Sequence, residues 1–328
     1  MLTRRRVVIA LGASALAAPF ATFAQQQTAK AIRIGFLGPA SASETAGRLE
    51  ALRLGLRDLG YVEGKNIVVE FHWADGKYDR LLDLAAELVR LKVDVIVTYG
   101  TAGTQAAKRA TTVIPIVMIT SGDAIATGLV ASLARPGGNI TGSTIFNPEL
   151  SAKRIELIKE AMPRITKVAV LLNPDNPVNG SVLHAMEITA RSLKVELHQF
   201  EARRPDEVDG TFAAMVKKRF EAVVLPEDPI FNANIKWMAE IAVKRRLLLA
   251  GGTEVAEAGG VIGYGVNFLE LWRRAAVFMD KILKGAKPGD IPIERATKFE
   301  MVVNMKTAKA FGLKIPNTIL VLATKVIE

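Results

Sequence analysis

From Ala31 onward, short apolar runs alternate with amphipathic stretches. Ile32 to Leu37 reads as a strand, and Glu44 to Leu59 sets Leu49, Leu52, Leu56 and Leu59 at helical spacing. Ile67 to Phe71 is a second strand, followed by a helix over Tyr78 to Leu91 with Leu81, Leu84, Leu88 and Leu91 on one face. Val93 to Tyr99 is β-rich, Thr104 to Ala110 is helical, and Ile114 to Thr120 is a further buried strand. Strands alternating with helices predict βαβ units, with a parallel sheet covered on both faces.

A turn cluster, Arg135-Pro136-Gly137-Gly138-Asn139, interrupts the pattern, and the alternation then restarts. Helices are expected around 151–161, 182–192, 208–218 and 235–245, and strands at 168–172, 195–200, 222–225 and 247–250. A short helix is expected around Gly128–Ala134. Two successive α/β sets of similar length predict two similar lobes. A (β/α)₈ barrel is the structural rival, because eight strand–helix units can also be counted.

Composition narrows the chemistry. The 328 residues are 50% hydrophobic and 23% charged, which excludes a disordered or fibrous chain. There is no cysteine, and therefore no disulfide, zinc-thiolate site or thiol nucleophile. His72, His184 and His198 lie far apart without metal-ligand spacing. No metal or cofactor is expected.

The net charge of +10 has to be located before it is interpreted. Arg4-Arg5-Arg6, an apolar run from Val7 to Ala18, and Ala24 before three glutamines form a basic, apolar and small-residue series. That pattern predicts a cleavable signal peptide over residues 1–24 and a periplasmic mature protein. Thr3-Arg4-Arg5 leaves twin-arginine and general export both open. Three of the ten charges thus belong to the leader. The others sit near helix ends, as in Lys217-Lys218-Arg219 and Lys244-Arg245-Arg246, without interleaved aromatics. They read as solvated helix surface, and no nucleic-acid partner is expected.

Catalytic spacings fail: there is no G-x-S-x-G elbow and no G-x-G-x-x-G after a strand. Gly60 to Lys65 ends like a P-loop but is one residue short and precedes a strand, so it reads as a turn. Small polar residues do gather where strands end, the edge at which parallel sheets bind ligands. Tyr99-Gly100-Thr101-Ala102-Gly103-Thr104 follows one strand and opens a helix, where hydroxyls and free N–H groups suit a carboxylate. Thr120-Ser121-Gly122-Asp123 follows the next strand, and Asp123 suits a ligand ammonium or a helix cap. Matching loops in the second half are Asn173 to Pro177, Pro226 to Phe231 and Gly251 to Glu254.

These segments together resemble the substrate-binding proteins of ABC transporters, of the tryptophan/tyrosine-binding type. The resemblance rests on Gly60-Tyr61-Val62-Glu63-Gly64-Lys65-Asn66-Ile67, on Gly128 through Gly142 with its Ala134-Arg135-Pro136-Gly137-Gly138-Asn139, and on Leu172-Asn173-Pro174. It continues through Arg273-Arg274-Ala275-Ala276, Lys281 to Pro288, Thr297-Lys298-Phe299-Glu300 and Asn304 to Pro316.

The resemblance implies an α/β fold of two Rossmann-like lobes with parallel sheets, joined by a multi-crossover hinge: the type I periplasmic-binding-protein fold. The chain would cross near Thr141–Phe146, Tyr264–Phe268 and Glu300, making residues 30–143 with 267–298 one lobe and 144–266 with 299–328 the other. It implies capture of a small ligand between the lobes, amino-acid, carboxylate-bearing or aromatic, and delivery to an ABC permease of the inner membrane. The protein is expected to be a monomer and not an enzyme. Thr101, Thr104 and Asp123 are expected to orient the ligand, with Asn147, Asp228, Glu254 and Tyr264 as further candidates.

Two departures matter. Asp123-Ala124-Ile125-Ala126 stands where relatives commonly read Asp-Pro-Val-Gly, and there is no lipobox cysteine. The second implies a freely diffusing protein or one held by an uncleaved signal. An exported α/β enzyme acting through Asp123 or Glu254, or a sensory module presenting ligand to a membrane receptor, are the alternatives.

Overall fold

The structure, a computed structural model, describes residues Ala31–Glu328, so the leader read over residues 1–24 lies outside the described residues. The first set of elements is β1 (Ile32–Gly38), α1 (Ala42–Asp58), β2 (Ile67–Trp73), α2 (Leu81–Arg90), β3 (Val95–Thr98), α3 (Gly100–Ala110), β4 (Ile116–Met118) and β5 (Ile140–Thr144). The second is α4 (Asn147–Ala161), β6 (Lys167–Leu172), α5 (Asn179–Ser192), β7 (Glu196–Glu201), α6 (Pro205–Lys217), β8 (Ala222–Val224), α7 (Pro229–Ala233), α8 (Ile235–Lys244), β9 (Leu248–Gly251), α9 (Thr253–Glu257) and β10 (Ile262–Gly265). The chain ends with α10 (Phe268–Leu283), β11 (Glu294–Arg295), β12 (Glu300–Asn304), α11 (Met305–Ala310), α12 (Asn317–Leu322) and β13 (Lys325–Ile327).

The strands form two separate sheets, ordered β11-β5-β4-β3-β1-β2 and β13-β12-β10-β9-β8-β6-β7. That excludes the single closed barrel. All pairings are parallel except β10 with β12. The chain passes between the sheets three times: from β5 into α4, from β10 into α10, and from β11 to β12. Helix α10 packs back along α1 of the first sheet.

Alternate strand residues feed the two faces of each sheet, as parallel strands buried on both sides require. Ile34, Phe36, Val95 and Val97 face α1 and α10, where Leu52, Leu56 and Trp272 meet them. Leu37, Ile96, Ile116 and Met118 face α2 and α3, with Leu81 and Leu88. The second sheet repeats this, Val168 and Val170 facing α4 and α5 while Ala169, Leu171 and Val223 face α6 and α8.

The helix expected around Gly128–Ala134 is not formed. Gly128 has φ +68°, and the N–H groups of Leu129 and Val130 both turn back to the Ala124 carbonyl. Leu129 and Val130 are buried from an irregular segment, so their apolar spacing reports contact with the sheet and not a helical period.

Candidate functional site

Parallel winding brings the carboxyl ends of β3, β4, β6 and β8 toward one another, and a cavity of about 30 Å³ lies among the loops that leave them. From the first sheet come Tyr99, Gly100 and Thr101 after β3, and Thr120, Ser121 and Gly122 after β4. Helix α1 contributes Arg48, and α10 contributes Phe268 and Trp272. The second sheet contributes Asn176 and Val178 after β6 and Glu227, Asp228, Pro229 and Asn232 after β8, with Asn147 from the start of α4.

Of the seven residues singled out from sequence, three line this cavity. Thr101 is buried, and its Oγ1 accepts from Gly122 N–H at 3.1 Å, tying the two first-lobe loops together. Asn147 bonds both backbone groups of Glu227: its Nδ2 donates to the carbonyl at 3.0 Å and its Oδ1 accepts from the N–H at 3.1 Å. Asp228 caps α7, Oδ1 accepting from Ile230 N–H at 2.9 Å, while Oδ2 accepts from Asn176 Nδ2 at 2.9 Å and Tyr78 Oη at 3.1 Å. Tyr78 belongs to the first sheet's connections, so this last bond spans the cleft.

The other four stand back from the lining. Thr104 is buried, but its hydroxyl donates to Gly100 O at 2.9 Å inside its own helix. Asp123 spends its Oδ1 on the N–H groups of Ile125 and Ala126, at 3.1 and 2.9 Å, stabilising a turn. Glu254, on α9, pairs with Arg48, itself a wall of the cavity, so it acts one residue removed. Tyr264 packs on Phe299 with its ring centroid 6.0 Å away, and offers its carbonyl to Arg154 Nε at 2.9 Å.

Sequence reasoning missed the aromatic wall and the cations. Trp272 lies 4.9 Å from the Tyr99 ring, and Phe36 continues the cluster behind them at 5.9 Å from Trp272. The Arg48 guanidinium sits 4.8 Å over Phe268. Arg154, wholly buried on α4, donates to Leu225 O at 2.8 Å and pairs with Glu227, whose other oxygen accepts from Asn232 Nδ2 at 2.7 Å. A signal for Arg154 exists: Leu150, Arg154 and Ile158 fall at helical i, i+4, i+8 spacing, which puts a cation on an apolar face. Arg48 has no such mark, because it flanks the Leu49 and Leu52 stripe as an ordinary surface arginine would.

Burial governs the titration of this site. It raises the Asp228 carboxyl, against the stabilising bonds from Asn176, Ile230 and Tyr78. Tyr78 is pushed well above its ordinary value, first by burial and then by the Asp228 charge. Glu254 is also raised by burial, with the Arg48 charge opposing. Asn173 Nδ2, beside the Asn176 loop, is buried without a hydrogen-bond partner. The site offers hydroxyls, amides, backbone N–H groups, one paired guanidinium and an aromatic face. This is the equipment of orientation and retention. Among the described residues no cluster of metal-ligating side chains occurs.

Residues 38–327 match the family of ABC transporter substrate binding proteins. The chain belongs to that family. A tyrosine-binding protein of Clostridioides difficile is 27% identical over 261 residues, 79% of this chain and 74% of that one. Among solved structures, a conserved domain protein from Vibrio cholerae O1 biovar eltor aligns with TM-score 0.83 and 26% identity, over 90% of this chain and 100% of the other. An ABC domain in complex with L-Trp from Streptococcus pneumonia aligns with TM-score 0.82 and 24% identity over the same shares. The two-sheet architecture with three crossings is the type I periplasmic-binding fold, and a member of this family is the solute-binding component of an ABC transport system.

Proposed function

We propose that this chain is an exported periplasmic receptor that captures a small aromatic carboxylate or aromatic amino acid, and that it binds without turning it over. One observation carries the reading: Arg48, the Phe268 and Trp272 rings, and the hydroxyl-rich loops at Thr101 and Ser121 all face the same cavity between the two sheets. The rings offer a stacking wall, and the guanidinium and loop N–H groups suit a carboxylate. The L-Trp complex and the tyrosine-binding relative support an aromatic ligand.

In this reading Thr101, Asn147, Asp228 and Arg48 form the site, and Glu254 steadies Arg48. The solute meets the first lobe, residues 30–143 with 267–298, and the second lobe, residues 144–266 with 299–328, closes over it. The closed monomer then docks on a membrane permease. A micromolar affinity requires about 8 kcal/mol, within reach of a few charge-assisted bonds and one buried ring.

Calorimetric titration with aromatic amino acids, benzoates and short aliphatic carboxylates tests the reading. Arg48→Ala should weaken the best aromatic carboxylate by about tenfold or more, the size of one charge-assisted bond. Chemical turnover of any bound solute overturns the receptor reading. Equal affinity for ring-bearing and ring-free carboxylates overturns the aromatic assignment.

A further inference from the structure

We propose that Tyr78, which does not line the cavity, is a strap that holds the two halves of the molecule closed over it and sets how long a solute is retained. The chain after β2 turns at Asp75 and Gly76, both left-handed at φ 51° and 78°, and Gly76 N–H donates to Pro39 O at 2.9 Å. Arg80 Nη1 ties the same turn by donating to Ala74 O at 3.3 Å and to Asp75 Oδ2 at 3.2 Å. From this fixed platform the Tyr78 ring packs on the buried cluster beneath α2 and α3 of the first sheet. It packs equally on the cluster beneath α6 and α8 of the second sheet, and among the described residues it is the one common to both.

The bonding of Asp228 goes beyond that of a helix cap. Capping α7 occupies only Oδ1, which accepts from the N–H groups of Ile230 and Phe231 at 2.9 and 3.4 Å. A serine or asparagine oxygen serves that purpose equally. The carboxylate brings a second oxygen into a buried place, and Oδ2 accepts from Tyr78 Oη at 3.1 Å and Asn176 Nδ2 at 2.9 Å. Burial and the Asp228 charge push the Tyr78 phenol well above its ordinary value, so it keeps its proton and remains a donor.

Position gives the bond its leverage. Among the described residues, two side-chain bonds join the halves away from the three crossings: Tyr78 with Asp228, and Arg48 with Glu254. Arg48 lines the cavity and would be engaged by a solute, whereas Tyr78 stands outside it. Tyr78 follows β2, the outermost strand of the first sheet and four places from β5, where the first crossing leaves. That is about 19 Å across the sheet, so a small rotation about the crossings displaces this point most. A hydrogen bond to a buried carboxylate there favours the closed form whatever lies between the sheets, and it has to break before a solute escapes. Retention rests on the solute-receptor reading; the strap itself does not.

Two variants test the strap: Tyr78→Phe removes the hydroxyl and keeps the ring, and Tyr78→Ala removes both. Small-angle scattering without added solute is expected to give a larger radius of gyration for each variant than for wild type, largest for Tyr78→Ala. Circular dichroism should be unchanged for Tyr78→Phe, which separates opening from unfolding. Superposable scattering of wild type and both variants overturns the proposal. The release rate of bound L-tyrosine, or of benzoate where L-tyrosine does not bind, should rise about fivefold or more in Tyr78→Phe, the size of one such bond. A release rate within twofold of wild type overturns the role in retention. Binding of neither probe to wild type would instead refute the receptor reading, and the scattering comparison would still decide the strap.

Discussion

At the scale of single residues, local bonding decides which polar side chains remain available. Thr104 and Asp123 looked as suitable as Thr101 along the chain, yet their oxygens close onto their own backbone turns. Asp228 shows the opposite case. It caps a short helix and also holds Asn176 and the cross-cleft Tyr78, and burial raises its carboxyl pKa above the unfolded value despite those bonds. A carboxyl raised on folding contributes stability that is fully present below the unfolded pKa of about 4 and lost as pH rises through the folded value. Asp228→Asn should therefore flatten the acidic limb of the melting-temperature profile: wild type falls relative to the variant as pH rises above about 4. Parallel profiles for the two proteins would refute this coupling.

At the scale of elements, periodic burial made most of the fold readable. Strands such as Val168–Leu172 announced themselves as continuous apolar runs because both faces are covered, and the observed strand Lys167–Leu172 begins one residue earlier. The segment after Asp123 misled, since its apolar residues plug the sheet from an irregular path that hydrophobic spacing cannot distinguish from a helix turn. Strand β5 contains a further constraint that spacing does not reveal. Gly142 has φ +133°, and a Cβ there would stand 1.9 Å from the Met118 carbonyl oxygen of the neighbouring strand. Gly142→Ala should cost about 3 kcal/mol or more, read as a large drop in denaturant midpoint, because backbone has to move. A loss under about 1 kcal/mol would mean that β4 and β5 can separate locally.

At the scale of the whole molecule, two lobes meet through a few close approaches. A Cβ on Gly100 would lie 2.5 Å from Pro229, and one on Gly122 would lie 2.7 Å from Val178. Both partners belong to the second lobe, so the space is filled only when the lobes are together. Gly122→Ala should leave the melting temperature of the solute-free protein within a degree or two while weakening solute binding about tenfold, since the added methyl obstructs closure and not folding. Unchanged affinity would show that Val178 yields without cost. The ion pair of Arg48 with Glu254 crosses the same gap and favours the same closed arrangement.

The sequence by itself determined the alternating elements, the two α/β sets, the likeness to solute receptors and the loops that end at the ligand-binding edge. These follow from burial period and turn chemistry, which act between residues a few positions apart. Only the tertiary structure decided which loop residues face the cavity, and that Arg48 and Trp272 join them from helices. Parallel winding is the physical reason. It brings each strand's carboxyl end to the same edge of the sheet and so makes neighbours of residues separated by dozens to hundreds of positions, a relation that no local pattern encodes.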